Sequence, residues 1–276
     1  MSDPPPPDPP ADPRPPGGVD DTLPHSARIG NYWLGGKDNY PIDRQVGDQI
    51  VGIYPGIVTL AQTDRHFLGR AVRYLACEVG IRQFLDIGTG LPTVDNTHEV
   101  AQRVAPESRI VYVDNDPLVL LHARALLTGH PDGRTAYIDA DLHDPDAILR
   151  EAGRTLDLSR PVAVMLLGIL NFVLDDEEGF AIVRRLMDAV PAGSHLAVTH
   201  PTSEIDAERY LPTVEHWNRH GTPKMRTRTR AEITRFFDGL HLLDPGVVSF
   251  PHWRPEPNPW PAPAEVPGYC GLARKD

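Results

Sequence analysis

"FLDIGTGLPT", residues 84–93, decides how the rest of the chain is read. An apolar run delivers Asp86, and the backbone then turns on Gly88 and Gly90 toward a helix. Glycines at such a turn let main chain approach a ligand more closely than residues with a Cβ allow. Two adenosine cofactors use turns of this kind. The dinucleotide fingerprint requires another glycine three residues after the second, and Thr93 stands there instead. An acid two residues ahead of the first glycine suits a ligand with a charged amino group and no pyrophosphate, which is the chemistry of S-adenosylmethionine.

Working outward, the pattern alternates. Strands are expected at 83–87, 109–113, 135–139, 161–167 and 194–199, with helices at 95–104, 117–127 and 176–190 between them. "VAVMLL", residues 162–167, is apolar on both faces, as in a parallel sheet covered by helices. Helices are expected again at 203–219 and 230–237. Then "HLLDPGVVSF" (241–250) and "GYCGLARKD" (268–276) read as a closing antiparallel pair around the Pro-rich loop 251–267. Upstream, Ile42, Val46, Ile50 and Ile53 recur at helical spacing, and a longer amphipathic helix at 59–79 ends at Gly80. The expected fold is a doubly wound, mostly parallel, seven-stranded α/β sheet over 81–276. Ahead of it come a helical lid or extension over 23–80 and a disordered Pro-rich tail over 1–22.

The chain has 276 residues, 40% of them hydrophobic, enough for a sizeable core. A formal net charge of -11 disfavours nucleic acid as a partner and leaves a small-molecule substrate as the expectation. Two cysteines cannot frame a disulfide scaffold of this size, so a reducing, cytoplasmic setting is expected. Neither a membrane-spanning run nor a basic-then-apolar leader is present, and no motif specifies an oligomeric state.

"VYVDNDP" (111–117) places Asp114, with Asn115 beside it, at the end of the second strand, where a carboxylate can take both ribose hydroxyls. "IDADLHDP" (138–145) places Asp141 to accept from an adenine amino group, with the Leu142 amide donating to the ring. Asp86, Asp114 and Asp141 thus line one sheet edge, with no cation for the methionine carboxylate. "RIGNYWLGGKDNYPIDR" (28–44) is the candidate source. It is no phosphate loop, because Asn31 and Asp38 stand where that loop needs Gly and Ser or Thr. Arg28 or Lys37 is expected to meet the carboxylate, and Tyr32, Trp33 or Tyr40 the sulfonium. Gly35-Gly36 would fold the segment over the pocket. The plainer alternative is a helix start with a turn and solvated charges.

With "ARIGNYWLGGKDNYPIDR" (27–44), "RQFLDIGTGLPT" (82–93), "VYVDNDPLVLLHARALL" (111–127) and "ADLHDP" (140–145), the chain resembles the class I S-adenosylmethionine-dependent methyltransferases. It is more closely similar to an actinobacterial S-adenosyl methyltransferase family first catalogued as a domain of unknown function. The resemblance runs from about residue 25 to the C-terminus. It implies a Rossmann-like fold and methyl transfer to an unidentified acceptor.

"LLGILNFVLDDEE" (166–178) departs from the pattern at Asn171, where the resemblance implies His. The same loop lacks the Asn-Pro-Pro-aromatic motif of enzymes acting on nucleobase or glutamine amides. His200, after the fifth strand, is a candidate base, with Asn171 and Tyr32 as further candidate catalytic groups. A non-catalytic S-adenosylmethionine sensor and an NAD(P)-dependent oxidoreductase are the alternatives. His216 and His220, four apart, read as a helix surface more than a metal pair. "KMRTRTR" (224–230) reads as a solvated loop or an anion contact.

Overall fold

A computed structural model describes residues 20–93, 95–119, 121, 129–255, 257 and 263–276. Most of the expected tail and most of the helix expected at 117–127 lie outside the described residues. The strands are β1 Gln83–Ile87, β2 Arg109–Asp114, β3 Arg134–Asp139, β4 Ala163–Leu167, β5 His195–Pro201, β6 His241–Leu242, β7 Val248–Ser249 and β8 Gly268–Arg274. They form one eight-stranded sheet in the order β3-β2-β1-β4-β5-β8-β6, with β7 paired to β8 off that path. β1 to β5 are parallel, and β8 runs antiparallel to β5, β6 and β7. The extra strand arises because Asp244-Pro245-Gly246 splits the single strand expected at 241–250. Pro245 has no amide to give a ladder, and Gly246 turns with φ +83°.

Alternation along each strand feeds two cores. Phe84, Ile110, Tyr112, Met165 and Ala197 face one layer of helices, while Leu85, Val111, Val113, Val164 and Val198 face the other. The first layer contains α1 Ser26–Trp33, α2 Pro41–Ile53, α3 Ile57–Tyr74 and α4 Thr97–Val104. A π-helical turn, Leu75–Val79, extends α3 to Gly80, which stops it at φ +83°. The second layer contains the helices Pro145–Ala152 and Asp176–Asp188 and the segment Arg230–Phe237. The helix Pro145–Ala152, which was not assigned from the sequence, buries Ile148, Leu149 and Ala152 on one face and is capped by Asp144, which accepts from the Ala147 amide. α1 lies inside the helical extension expected over 23–80, where no bounds had been assigned to it. α4 begins at Thr97, two residues later than expected, because the Glu99 carboxylate reaches back to the Asn96 amide at 2.7 Å.

The extension does not stand apart. Ile29, Val46 and Ile50 share one buried cluster with Phe84 and Met165 of the sheet. The loop after β7 is also drawn in: Trp253 is wholly buried edge-on against Phe67 and Tyr74 of α3.

Candidate active site

A cavity of about 390 Å³ opens at the carboxyl ends of β1, β2, β4 and β5, where the strand order reverses between β1 and β4. Its floor is the glycine turn. Gly88, at φ +74°, passes so close beneath Ile169 that a Cβ would lie 2.5 Å from its Cγ1. Gly90, at φ +65°, has nothing within 4 Å of its own Cβ position. A side chain at either position is excluded, one by contact and both by conformation.

Asp114 and Asp141 line the cavity as expected from their strand ends, together with Asn115 and Leu142. Asp114 is 9% exposed and is oriented by two backbone amides, from Gly90 at 2.8 Å and Asp116 at 3.0 Å. Burial nevertheless lifts its pKa above the usual carboxylate value. Asp141 accepts from the His143 amide at 2.9 Å and from Asn115 Nδ2 at 3.3 Å. Burial acts to raise its pKa, but these hydrogen bonds outweigh it and lower the value.

Asp86 is not on the wall. It lies buried behind the turn, accepting from Thr97 Oγ1 at 2.6 Å, so its carboxylate ties β1 to the start of α4. Burial pushes its pKa up to about 6, against the lowering effects of Thr97 and Arg65.

The N-terminal motif has a different job from the one its charges suggested. Arg28 is 3% exposed and turned away from the cavity. Its guanidinium donates to the carbonyls of Asp20 and Leu23, lies 3.2 Å from Asp43 Oδ2 and covers the Tyr40 ring. Asp43, wholly buried, also accepts from the His25 amide at 3.0 Å and the Tyr40 amide at 2.9 Å. Asn31 accepts from the Asp38 amide and from Asn39 Nδ2, both at 3.0 Å. A Cβ on Gly36 would fall 2.3 Å from the Asn31 amide nitrogen, so only glycine closes this loop. Tyr32 donates to Asp48 at 2.7 Å and does not line the cavity; Lys37 is exposed and does not either. What the segment does present is α1 itself, with Ser26, Gly30 and Trp33 on the wall.

Opposite α1, the helix Ala207–His220 contributes Tyr210, Thr213 and Trp217. A main-chain bridge between His25 and Thr222 joins the two sides of this roof.

His200 lines the cavity but cannot take a proton from an acceptor. Nδ1 is engaged by the Pro201 carbonyl at 2.8 Å and Nε2 by Arg228 at 2.8 Å. Because the guanidinium can only donate, Nε2 is the acceptor and Nδ1 carries the hydrogen. Burial, with Arg228 beside it, lowers the His200 pKa to about 3. Arg228 is itself 1% exposed and donates to Asp176, Leu170 and Val173. The basic run is therefore neither a solvated loop nor an anion contact at this residue: Arg228 fastens the 170–173 turn to β5. The His216 and His220 rings lie 4.6 Å apart, tilted by 40°, and no group of three or more metal-ligating side chains occurs among the described residues.

Asn171 lines the cavity, 4% exposed, with Oδ1 unpartnered. Beside it in the wall is a carboxyl that the sequence reading passed over. Asp64 belongs to α3, and burial raises its pKa to about 6, with Thr199 and Arg65 acting to lower it. The signal was available: Leu60, Asp64, Phe67 and Ala71 fall on one helical stripe, and only Asp64 is not apolar.

These residues fit an adenosyl sulfonium. The turn leaves open space at Gly90, a buried carboxylate stands at the end of β2, and no Arg or Lys occurs among the described residues of the wall. The chain matches the family described as S-adenosyl methyltransferase over residues 13–276. A DUF574 family protein from Streptomyces avermitilis is 45% identical, with a TM-score of 0.89, 93% of this chain and 99% of that one being covered. A Thermobifida fusca protein provisionally named a methyltransferase is 41% identical, with a TM-score of 0.87 over 95% of this chain and 98% of that one. No curated protein matches the chain. With a family match across 13–276, these relatives and a glycine turn that fits the cofactor, the chain belongs to the S-adenosyl methyltransferase family, as an S-adenosylmethionine-dependent enzyme of class I fold.

Proposed function

We propose that the acceptor is a small molecule, methylated inside the roofed cavity, and that residues 23–80 serve as the roof. One observation carries this reading: the cofactor edge, Gly88 to Asp114, and an apolar wall from α1, α3 and the helix Ala207–His220 line the same cavity of about 390 Å³. A polymer or protein surface would need an open groove.

When bound, the cofactor supplies a methyl group already activated on a sulfonium. What the chain adds is alignment and exclusion of water. Asp114 would hold the ribose, Asp141 and the Leu142 amide the adenine ring, and Gly88 and Gly90 the close main-chain approach. Of Tyr32, Trp33 and Tyr40, Trp33 is the one that lines the cavity, and it would offer the sulfonium an aromatic face. A reducing cytoplasmic setting accords with two unpaired cysteines, Cys77 exposed and Cys270 buried. No described helix is long and apolar enough to cross a membrane.

The test is calorimetry with S-adenosylmethionine, S-adenosylhomocysteine and NAD. Both adenosyl ligands should bind and NAD should not, and Asp114→Ala should weaken both by about tenfold or more. Binding of NAD alone would refute the assignment. Accumulation of S-adenosylhomocysteine on incubation with a small-molecule extract would separate an enzyme from a sensor.

A further inference from the structure

We propose that the acceptor is an amine with an apolar body, its nitrogen held by Asp64, Asn171 and Thr199. The inference rests on the methyl-transfer reading above and names the substrate class of the same cavity. Buried polar atoms are almost always paired, and those that are not need a reason. Here Asp64 Oδ1 and Asn171 Oδ1 are buried without a hydrogen-bond partner, the Thr199 hydroxyl lies beside Asp64 as a donor that holds its pKa down, and all three residues line the cavity. They gather around one point of the fold. Gly168 donates its amide to the Thr199 carbonyl at 3.2 Å, its Cβ position is 3.9 Å from Asp64 Oδ2, and Asn171 follows it by three residues.

Asp64 Oδ1 and Asn171 Oδ1 can only accept, and a Thr199 hydroxyl that donates to Asp64 keeps lone pairs of its own, so together they call for hydrogen-bond donors. A protonated amine brings three N–H groups and a positive charge to a wall that has Asp64, Asp114 and Asp141 and no Arg or Lys among its described residues. A hydroxyl would bring one donor and no charge to Asp64. Arg65, the next residue along α3, does not line the cavity and donates to Asn96 at 2.9 Å. The raised pKa of Asp64 agrees, since burial outweighs the Thr199 hydrogen bond and the Arg65 charge, and a carboxylate so disfavoured gains from a cation in contact with it. Trp33, Phe172, Tyr210, Trp217 and Phe250 complete the wall and suit an aromatic or aliphatic body. For transfer, the ammonium first gives a proton to the Asp64 carboxylate. The freed lone pair then forms the new N–C bond as the methyl–sulfur bond breaks with its electrons left on sulfur.

Phenethylamine and 2-phenylethanol differ only at the group in question. Calorimetry on the full chain saturated with S-adenosylhomocysteine should show phenethylamine binding at least about tenfold more tightly. Asp64→Asn, close to isosteric, should abolish that preference while leaving S-adenosylhomocysteine affinity within about twofold. Equal binding of the two probes, binding of neither, or a preference that survives Asp64→Asn overturns the proposal. So does a large loss of S-adenosylmethionine affinity in Asp64→Asn, which would assign the carboxylate to the cofactor. Failure of the wild-type chain to bind S-adenosylhomocysteine removes the methyl-transfer reading and this inference with it. Bound S-adenosylhomocysteine with failed discrimination removes this inference alone.

Discussion

Asp64 and His200 face one cavity and titrate in opposite senses. His200 is kept neutral by burial and by two filled ring nitrogens, so it positions the wall and takes no proton. Asp64 is a carboxyl whose ionised form burial disfavours, its pKa raised from 3.8 to about 6. A raised carboxyl binds more protons folded than unfolded. Its contribution to stability is therefore complete below pH 4 and is lost as pH rises through about 6. Asp64→Asn removes that loss. We expect the ligand-free variant to be more stable than wild type by roughly 1–3 kcal/mol at pH 7.5, with the gain shrinking toward zero near pH 4. Urea unfolding at the two pH values measures it, and a variant less stable at pH 7.5 would contradict this account of the burial. Asp64 also marks a boundary of what sequence reveals. Asp114 and Asp141 announce themselves at strand ends beside turns, whereas Asp64 interrupts an apolar stripe and meets its partner in Thr199 of β5, about 135 residues away.

At the scale of the element, α1 is short for a helix that must roof a cavity, and it carries no side-chain cap. Its rigidity comes from the motif around it. Asp43 gathers the His25 and Tyr40 amides and the Arg28 guanidinium, and Asn31 organises the loop that Gly36 closes. The motif was legible as unusual, but its role was not: a buried Arg–Asp pair and a solvent-facing cation leave the same trace in a linear sequence. Asp43→Ala would strand a buried guanidinium, a change that costs about 3–5 kcal/mol when a buried pair is broken. Hydrogen exchange should rise across residues 26–33, and affinity for S-adenosylhomocysteine should fall with loss of the roof. Lys37→Ala, at an exposed position off the wall, should leave that affinity within about twofold. Unchanged exchange in α1 after Asp43→Ala, or a strong binding defect from Lys37→Ala, would return the motif to direct ligand contact.

For the whole molecule, the parallel half of the sheet could be read strand by strand, because each buried run and each following turn is local. Of the antiparallel half, the pairing of 241–250 with 268–276 could be read, but not the place of β8 beside β5. β8 is last in the chain yet lies inside the sheet, paired along its full length with β5 and on its other edge with β6 and β7. Such pairings depend on contacts far apart in sequence, which no local period encodes. The arrangement also makes the C-terminus a keystone. β8 buries Cys270, Leu272 and Ala273, and Gly271 runs so close under Phe237 that a Cβ would lie 2.8 Å from its ring. A chain ending at residue 266 would leave β5 with an unpaired edge and would uncover both cores at once, since Leu272 belongs to one and Ala273 to the other. We therefore expect that truncation to abolish cooperative unfolding in urea rather than merely lower its midpoint. Gly271→Val should give a milder form of the same defect, a folded protein destabilised by about 1–3 kcal/mol from overpacking. A truncated chain that still unfolds in one sharp transition near the full-length midpoint would show that β5 closes the sheet unaided.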